Sequence, residues 1–91
     1  MESYDNEYVN VTYYPKTDNN SKAYIICRDL TDVWNETTCF TQNVRGIDKA
    51  WQFIGQIFNK YELTEDIKFR DVRNILNDKF NLKTHQYCVV D

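Results

Sequence analysis

The 91-residue chain is predicted to be an α+β domain, an antiparallel sheet of three to four strands packed by two helices in the order β-β-β-α-α-β. Three observations predict it. Apolar and polar residues alternate in the first half, which is the period of a half-buried strand. From Ile47 to Tyr61, and again from Phe69 to Phe80, apolar residues recur at spacings of three and four, the period of a helix face. The charge changes with the pattern: residues 1–44 hold three basic against seven acidic side chains, and residues 45–91 hold eight against seven. A chain this short buries roughly 60–65% of its unfolded surface, enough for one core, so residues 1–91 are expected to form a single domain.

Tyr8 to Tyr14 places Val9, Val11 and Tyr13 on one face and Asn10 and Thr12 on the other, a first strand that Pro15 ends. Lys16 to Lys22 has the Thr, Asp, Asn and Ser content of a hairpin loop. Ala23 to Arg28 is apolar on both faces, as expected of a central strand covered by helices on one side and partly by aromatic side chains on the other. Thr37 to Val44 returns as a third strand with Phe40 and Val44 on one parity. Arg45-Gly46 then punctuates a change to helix.

In the first helix Ile47, Ala50, Trp51, Ile54, Phe58 and Tyr61 share a face that Phe53 and Ile57 widen, so this helix should lie directly on the sheet. Gly55 and Trp51 are assigned to packing. Leu63-Thr64-Glu65-Asp66 is a break with Thr64 or Asp66 as the cap of a second helix. Phe69, Val72, Ile75, Leu76 and Phe80 make its apolar stripe. A turn at Lys83-Thr84-His85 and a short last strand, Gln86 to Val90, complete the expected order.

Composition narrows the function classes. A net charge of −3 and a pI near 5.0 oppose general nucleic-acid binding, which draws its affinity from Lys and Arg on phosphates. No apolar run approaches the roughly 18 residues of a membrane span, and the polar, acidic opening Met1 to Glu7 has no signal-peptide pattern, so a cytoplasmic location is expected. Three cysteines, an odd number without a secretion signal, are expected to be reduced thiols used in packing. No cofactor and no metal are expected: His85-x-x-Cys88 makes a single close pair, and Cys27 and Cys39 lie in separate strands, whereas structural zinc sites present two close pairs. A Cys88 nucleophile served by His85 would have the two side chains on opposite strand faces, with no glycine-rich loop to supply oxyanion donors. No catalytic residues are assigned, and no enzymatic activity is expected.

Two binding readings remain. Asp29 to Glu36 sets Trp34 among Asp29, Asp32 and Glu36. A large aromatic in a polar loop either folds back to cap the sheet edge, the common fate of Trp, or serves as an anchor for a partner. Tyr4, Tyr8, Tyr13 and Tyr14, interleaved with Asp5, Glu7 and Asp18, would extend this into an acidic aromatic surface suited to a basic protein partner. The candidate partner-binding residues are therefore Asp29, Asp32, Trp34 and Glu36. The alternative is a small nucleic-acid-binding regulator using Arg70 and Arg73, which share the second helix with Lys68 and Lys79 but also with Asp71 and Asp78.

A short α+β chain rich in Asn, Tyr, Ile, Asp and Lys, with acidic loops and no catalytic motif, resembles the small inhibitors that phages and mobile elements of AT-rich bacteria encode, the anti-CRISPR proteins in particular. That resemblance implies a stoichiometric protein ligand acting in a bacterial host cytoplasm, blocking a basic, nucleic-acid-binding effector. It lies in general character and transfers no residue roles.

Overall fold

Glu2–Asp5 forms an N-terminal strand, β1, that the sequence pattern does not announce, because Glu-Ser-Tyr-Asp is short and polar. Its hairpin to β2 (Val9–Tyr14) is built by Asn6, whose side-chain oxygen accepts from the backbone N–H of Tyr8 at 2.8 Å and of Val9 at 3.0 Å. A computed structural model of the chain describes residues 2–19, 21–63 and 67–80. Two further strands, β3 (Tyr24–Asp29) and β4 (Glu36–Phe40), complete a four-stranded antiparallel sheet in the order β1-β2-β3-β4. The fourth strand of this sheet is thus supplied by the N-terminus. The expected last strand at 86–90, with His85 and Cys88, lies outside the described residues, as do the expected caps Thr64 and Asp66.

Register sorts the side chains into two faces. Tyr4 is opposite Val11, Val11 opposite Cys27, and Cys27 opposite Thr37; Tyr13 is opposite Ile25, which is opposite Cys39. This face carries Val9, Val11, Ile25, Cys27 and Cys39, all buried. The other face carries three cross-strand rows: Tyr14, Tyr24 and Phe40; then Ser3, Thr12, Ile26 and Thr38; then Asp5, Asn10, Arg28 and Glu36. Tyr14 and Tyr24 stack with ring centres 4.9 Å apart, and Phe40 meets Tyr24 edge-on at 6.0 Å. These rings are the aromatic cover expected on the second face of the central strand.

The chain turns out of the sheet earlier than the alternation suggests. Strand β4 ends at Phe40, and Val44, expected in the strand, is the first residue of helix α1 (Val44–Lys60). Asn43 caps this helix, its side-chain oxygen accepting from Gly46 N–H at 2.7 Å. Gly46 therefore lies inside the first turn, where a β-carbon would fall 1.8 Å from the Phe40 carbonyl oxygen. Only a residue without a side chain lets the helix start this close to the strand.

Helix α1 lays Ala50, Trp51, Ile54, Gly55, Ile57 and Phe58 against the buried face of the sheet. Its end is a left-handed cap: Leu63 N–H reaches the Phe58 carbonyl at 2.9 Å and Glu62 N–H reaches that of Asn59 at 3.0 Å, with Glu62 at φ 57°. Leu63 returns to pack on the core. Helix α2 (Ile67–Phe80) then buries Phe69, Val72, Leu76 and Phe80. Phe69 meets Phe58 of α1 edge-on at 5.1 Å, and Phe80 stacks on Tyr13 of β2 at 5.6 Å, so α2 closes the core over both.

Two substitutions read these backbone constraints. Gly46→Ala should lower stability by about 1–3 kcal/mol, because helix and strand must separate to admit the methyl group. Glu62→Gly should raise it by roughly 0.5–1 kcal/mol by relieving the left-handed residue. Urea denaturation followed by circular dichroism measures both.

Candidate functional site

The β3–β4 connection is organised by one carboxylate. Asp29 ends β3 on the helix-facing side, where its side chain has no solvent exposure. One oxygen accepts from Thr31 N–H at 2.9 Å and from the Thr31 hydroxyl at 2.6 Å. The other accepts from Asn35 Nδ2 at 3.2 Å and from Lys60 Nζ, in the last turn of α1, at 2.9 Å. Burial pushes the pKa of Asp29 up, but the hydrogen bonds from Thr31, Lys60 and Asn35 outweigh it and hold the carboxyl at about 2. The same hydrogen bond raises the pKa of Lys60.

Backbone bonds complete the loop. Asp29 N–H meets the Asn35 carbonyl at 3.0 Å and closes its base, while Asp32 N–H bonds to the Asp29 carbonyl and Asn35 N–H to that of Asp32. The Asp32 carboxylate accepts from Trp34 N–H at 3.3 Å. Leu30 N–H bonds to the Tyr8 carbonyl at 2.9 Å and ties the loop to the β1–β2 turn. Held by these bonds, the loop turns its apolar side chains outward: Leu30 is 46% exposed, Val33 78% and Trp34 91%.

Three of the four candidate residues are exposed along one short segment. Asp32 and Trp34 are exposed on the loop, and Glu36 follows at the start of β4, its carboxylate 3.5 Å from Arg28 Nε. Asp29 is the correction: its buried, fully bonded carboxylate positions the loop and is not offered to a partner. The expectation that Trp34 folds back over the sheet edge is also overturned, since the bonds of Asp29 and Asp32 aim it into solvent. Nor do the tyrosines form one surface with it. Tyr4, Tyr8 and Tyr13 pack against the core, and Tyr14 stacks on Tyr24 across the opposite face.

Leu30 and Val33 are exposed on the same loop, and their position beside Trp34 in a polar segment is the sequence signal for them. Lys60 left no such signal, because 31 positions separate it from Asp29. On α2, Arg70 is exposed and Arg73 is half-buried and already engaged, with Asp71 and Asp78 exposed beside them. That mixture does not make a continuous basic face.

Among the described residues no group of three or more His, Cys, Asp or Glu side chains gathers as a metal site. Cys27 and Cys39 are free and buried. Their register places them diagonally across β3 and β4 on one face, not directly opposite. Hydrogen bonding to Cys39, together with burial, pushes the Cys27 thiol up, so it is protonated at neutral pH. No helix among the described residues is long and apolar enough to cross a membrane. Comparison of the chain with protein-family models, with curated proteins and with solved structures yields no match.

The depressed pKa of Asp29 sets a pH dependence. Its stabilising contribution is fully present above the unfolded carboxyl value near pH 4 and is lost as pH falls toward about 2. Asp29→Asn should cost on the order of 2 kcal/mol at pH 7 and flatten the stability profile between about pH 4 and 2, measured by urea denaturation across that range.

Proposed function

We propose that the protein is a non-enzymatic protein-binding module that engages its partner through the Leu30–Glu36 segment, with Trp34 as the anchor. The observation that carries this reading is a tryptophan 91% exposed on a loop whose backbone is already fixed by Asp29 and Asp32. Leaving so large an aromatic surface in water has a free-energy cost that a partner pocket removes. The fixed loop also loses little conformational freedom on binding, so more of the burial appears as affinity. Tryptophan is among the residues most enriched at binding hot spots.

Leu30 and Val33 extend the apolar contact, Asp32 edges it with negative charge, and Glu36 follows in its pair with Arg28. Charge at the edge of an apolar anchor steers association and selects a partner of opposite sign, so the reading specifies an apolar pocket rimmed by Lys or Arg. One form of such a module is a phage-encoded inhibitor of the anti-CRISPR kind, acting in the bacterial cytoplasm on a basic, nucleic-acid-binding effector. The acidic flank of the anchor and the net charge of −3 support that form.

Tagged co-purification from a bacterial lysate, with and without nuclease treatment, tests the reading. A stoichiometric protein should survive nuclease and bind the Trp34→Ala variant more weakly by about 2 kcal/mol or more. The same variant should change folding stability by no more than about 0.5 kcal/mol, because Trp34 makes no core contact. Equal capture by the native chain and by Trp34→Ala removes the loop as the site. Recovery of nucleic acid, with protein lost after nuclease, removes the module reading.

A further inference from the structure

The outer edge of β4 and the first turns of α1 form a second surface, unlike the first in charge. Hydrogen bonds at both ends of the β3–β4 pair, Asp29 N–H to the Asn35 carbonyl and Thr41 N–H to that of Ala23, turn the odd-numbered residues of this strand toward β3. The backbone groups of Glu36, Thr38 and Phe40 therefore face outward. Phe40 is backed by Gly46, and the Thr38 carbonyl is covered by Lys49 Nζ at 3.2 Å. Among the described residues no backbone group pairs with the outward edge at Glu36 and Thr38.

A groove runs beside this edge, lined by Thr38, Phe40, Asn43, Arg45, Gly46 and Lys49 among others, and among the described residues no acidic side chain lines it. Arg45 and Lys49 also line the adjoining shallow depression, where Asp48 is half-buried and already engaged. Neither Arg45 nor Lys49 belongs to an ion pair among the described residues. A third cation, Lys22, sits 5.8 Å from the centre of the Phe40 ring at the rim. In a chain of net charge −3, this is a local inversion of sign placed along a strand edge that is unpaired among the described residues.

We propose that this groove binds an extended acidic peptide segment, which adds to β4 as an outer strand and sets alternate carboxylates against Arg45 and Lys49. The edge supplies the backbone half of the recognition and the two cations supply the side-chain half. On binding, a peptide N–H takes the Thr38 carbonyl from Lys49, and the released ammonium pairs with a peptide carboxylate. Alternation then puts the intervening peptide side chains on the Phe40 side of the sheet, which favours apolar residues there. A nucleic acid would meet the same cations but could not satisfy the outward N–H and carbonyl groups as a strand does. The proposal stands apart from the Trp34 loop and does not depend on it.

The test uses the full chain and a short labelled peptide alternating glutamate and valine. Fluorescence anisotropy should show saturable binding that weakens with salt, and the same peptide carrying lysine for glutamate should not bind. Arg45→Glu with Lys49→Glu should lower affinity about tenfold or more, while Trp34→Ala leaves it unchanged. Backbone amide resonances of Thr38, Phe40, Gly46 and Lys49 should shift, and the Glu36 and Thr38 amides should gain protection from exchange. Absence of peptide binding, equal binding of the lysine peptide, tighter binding of a thymidylate oligonucleotide, or shifts confined to α2 would each overturn the proposal. If the double variant does not fold, the two peptides compared on the native chain decide.

Discussion

A single buried carboxylate, that of Asp29, joins the end of β3 and the loop that follows it to the last turn of α1, 31 positions away. It sits where β3 leaves the sheet, and its four hydrogen bonds fold the following loop back on itself and hold the last turn of α1 through Lys60. A charge removed from water is tolerated only when it is paired and hydrogen-bonded, and leaving such a group without its partner costs several kcal/mol. The position of α1 and the shape of the loop are therefore coupled. The helix cannot slide along the sheet without uncovering Asp29, and the loop cannot open without doing the same.

That coupling explains why the most exposed aromatic among the described residues is also among the best positioned. Trp34 has no core contact to orient it, yet its backbone N–H is bonded to Asp32, and Asp32 is bonded to Asp29. Rigidity reaches the surface through the backbone of a six-residue connection between Asp29 and Glu36. Leu30 is tied in addition to the Tyr8 carbonyl, so the β1–β2 turn buttresses the same loop from the side. The Tyr8 ring meets Phe58 and Tyr61 at the end of α1, and Lys68 of α2 pairs with Glu7 at 2.7 Å. The loop and both helices thus converge at one end of the sheet.

The two long edges of the sheet are treated differently. At one, β1 brings Glu2 and Asp5. At the other, Gly46 lets α1 begin against Phe40, which brings Arg45 and Lys49 beside the outward backbone of β4. Lysine over an open strand edge is a common guard against unwanted pairing. Here the guard bonds directly to a strand carbonyl, and among the described residues the cations of its groove have no ion-pair partner. Guarding against indiscriminate pairing and admitting an acidic strand are compatible, because only a carboxylate-bearing segment gives Lys49 a replacement partner.

Periodicity was a sufficient guide wherever one face of an element is buried. Val9, Val11 and Tyr13 in β2, and the stripes Ala50, Ile54, Phe58 and Phe69, Val72, Leu76, lie on the core as their spacing requires, because only one phase of each element satisfies the hydrophobic pattern. Beyond the buried faces the pattern weakened. Polar β1 left no alternation to read, and Val44 matched the parity of Phe40 although Asn43 and Gly46 had already started a helix. At the candidate site the sequence marked Asp32, Trp34 and Glu36 as neighbours on one loop, since proximity along the chain suffices for that.

The α+β class, the central strand, the two helix faces and the local cluster around Trp34 are legible in the chain, because each follows from interactions between residues a few positions apart. Folding adds that Asp29 is buried while Trp34 is exposed, that Lys60 rather than water pairs with Asp29, and that Arg45 and Lys49 line the edge of β4. The Asp29–Lys60 pair spans 31 positions and the Lys49–Thr38 bond 11, and the geometry of both is set when α1 docks on the sheet, which hydrophobic periodicity does not encode.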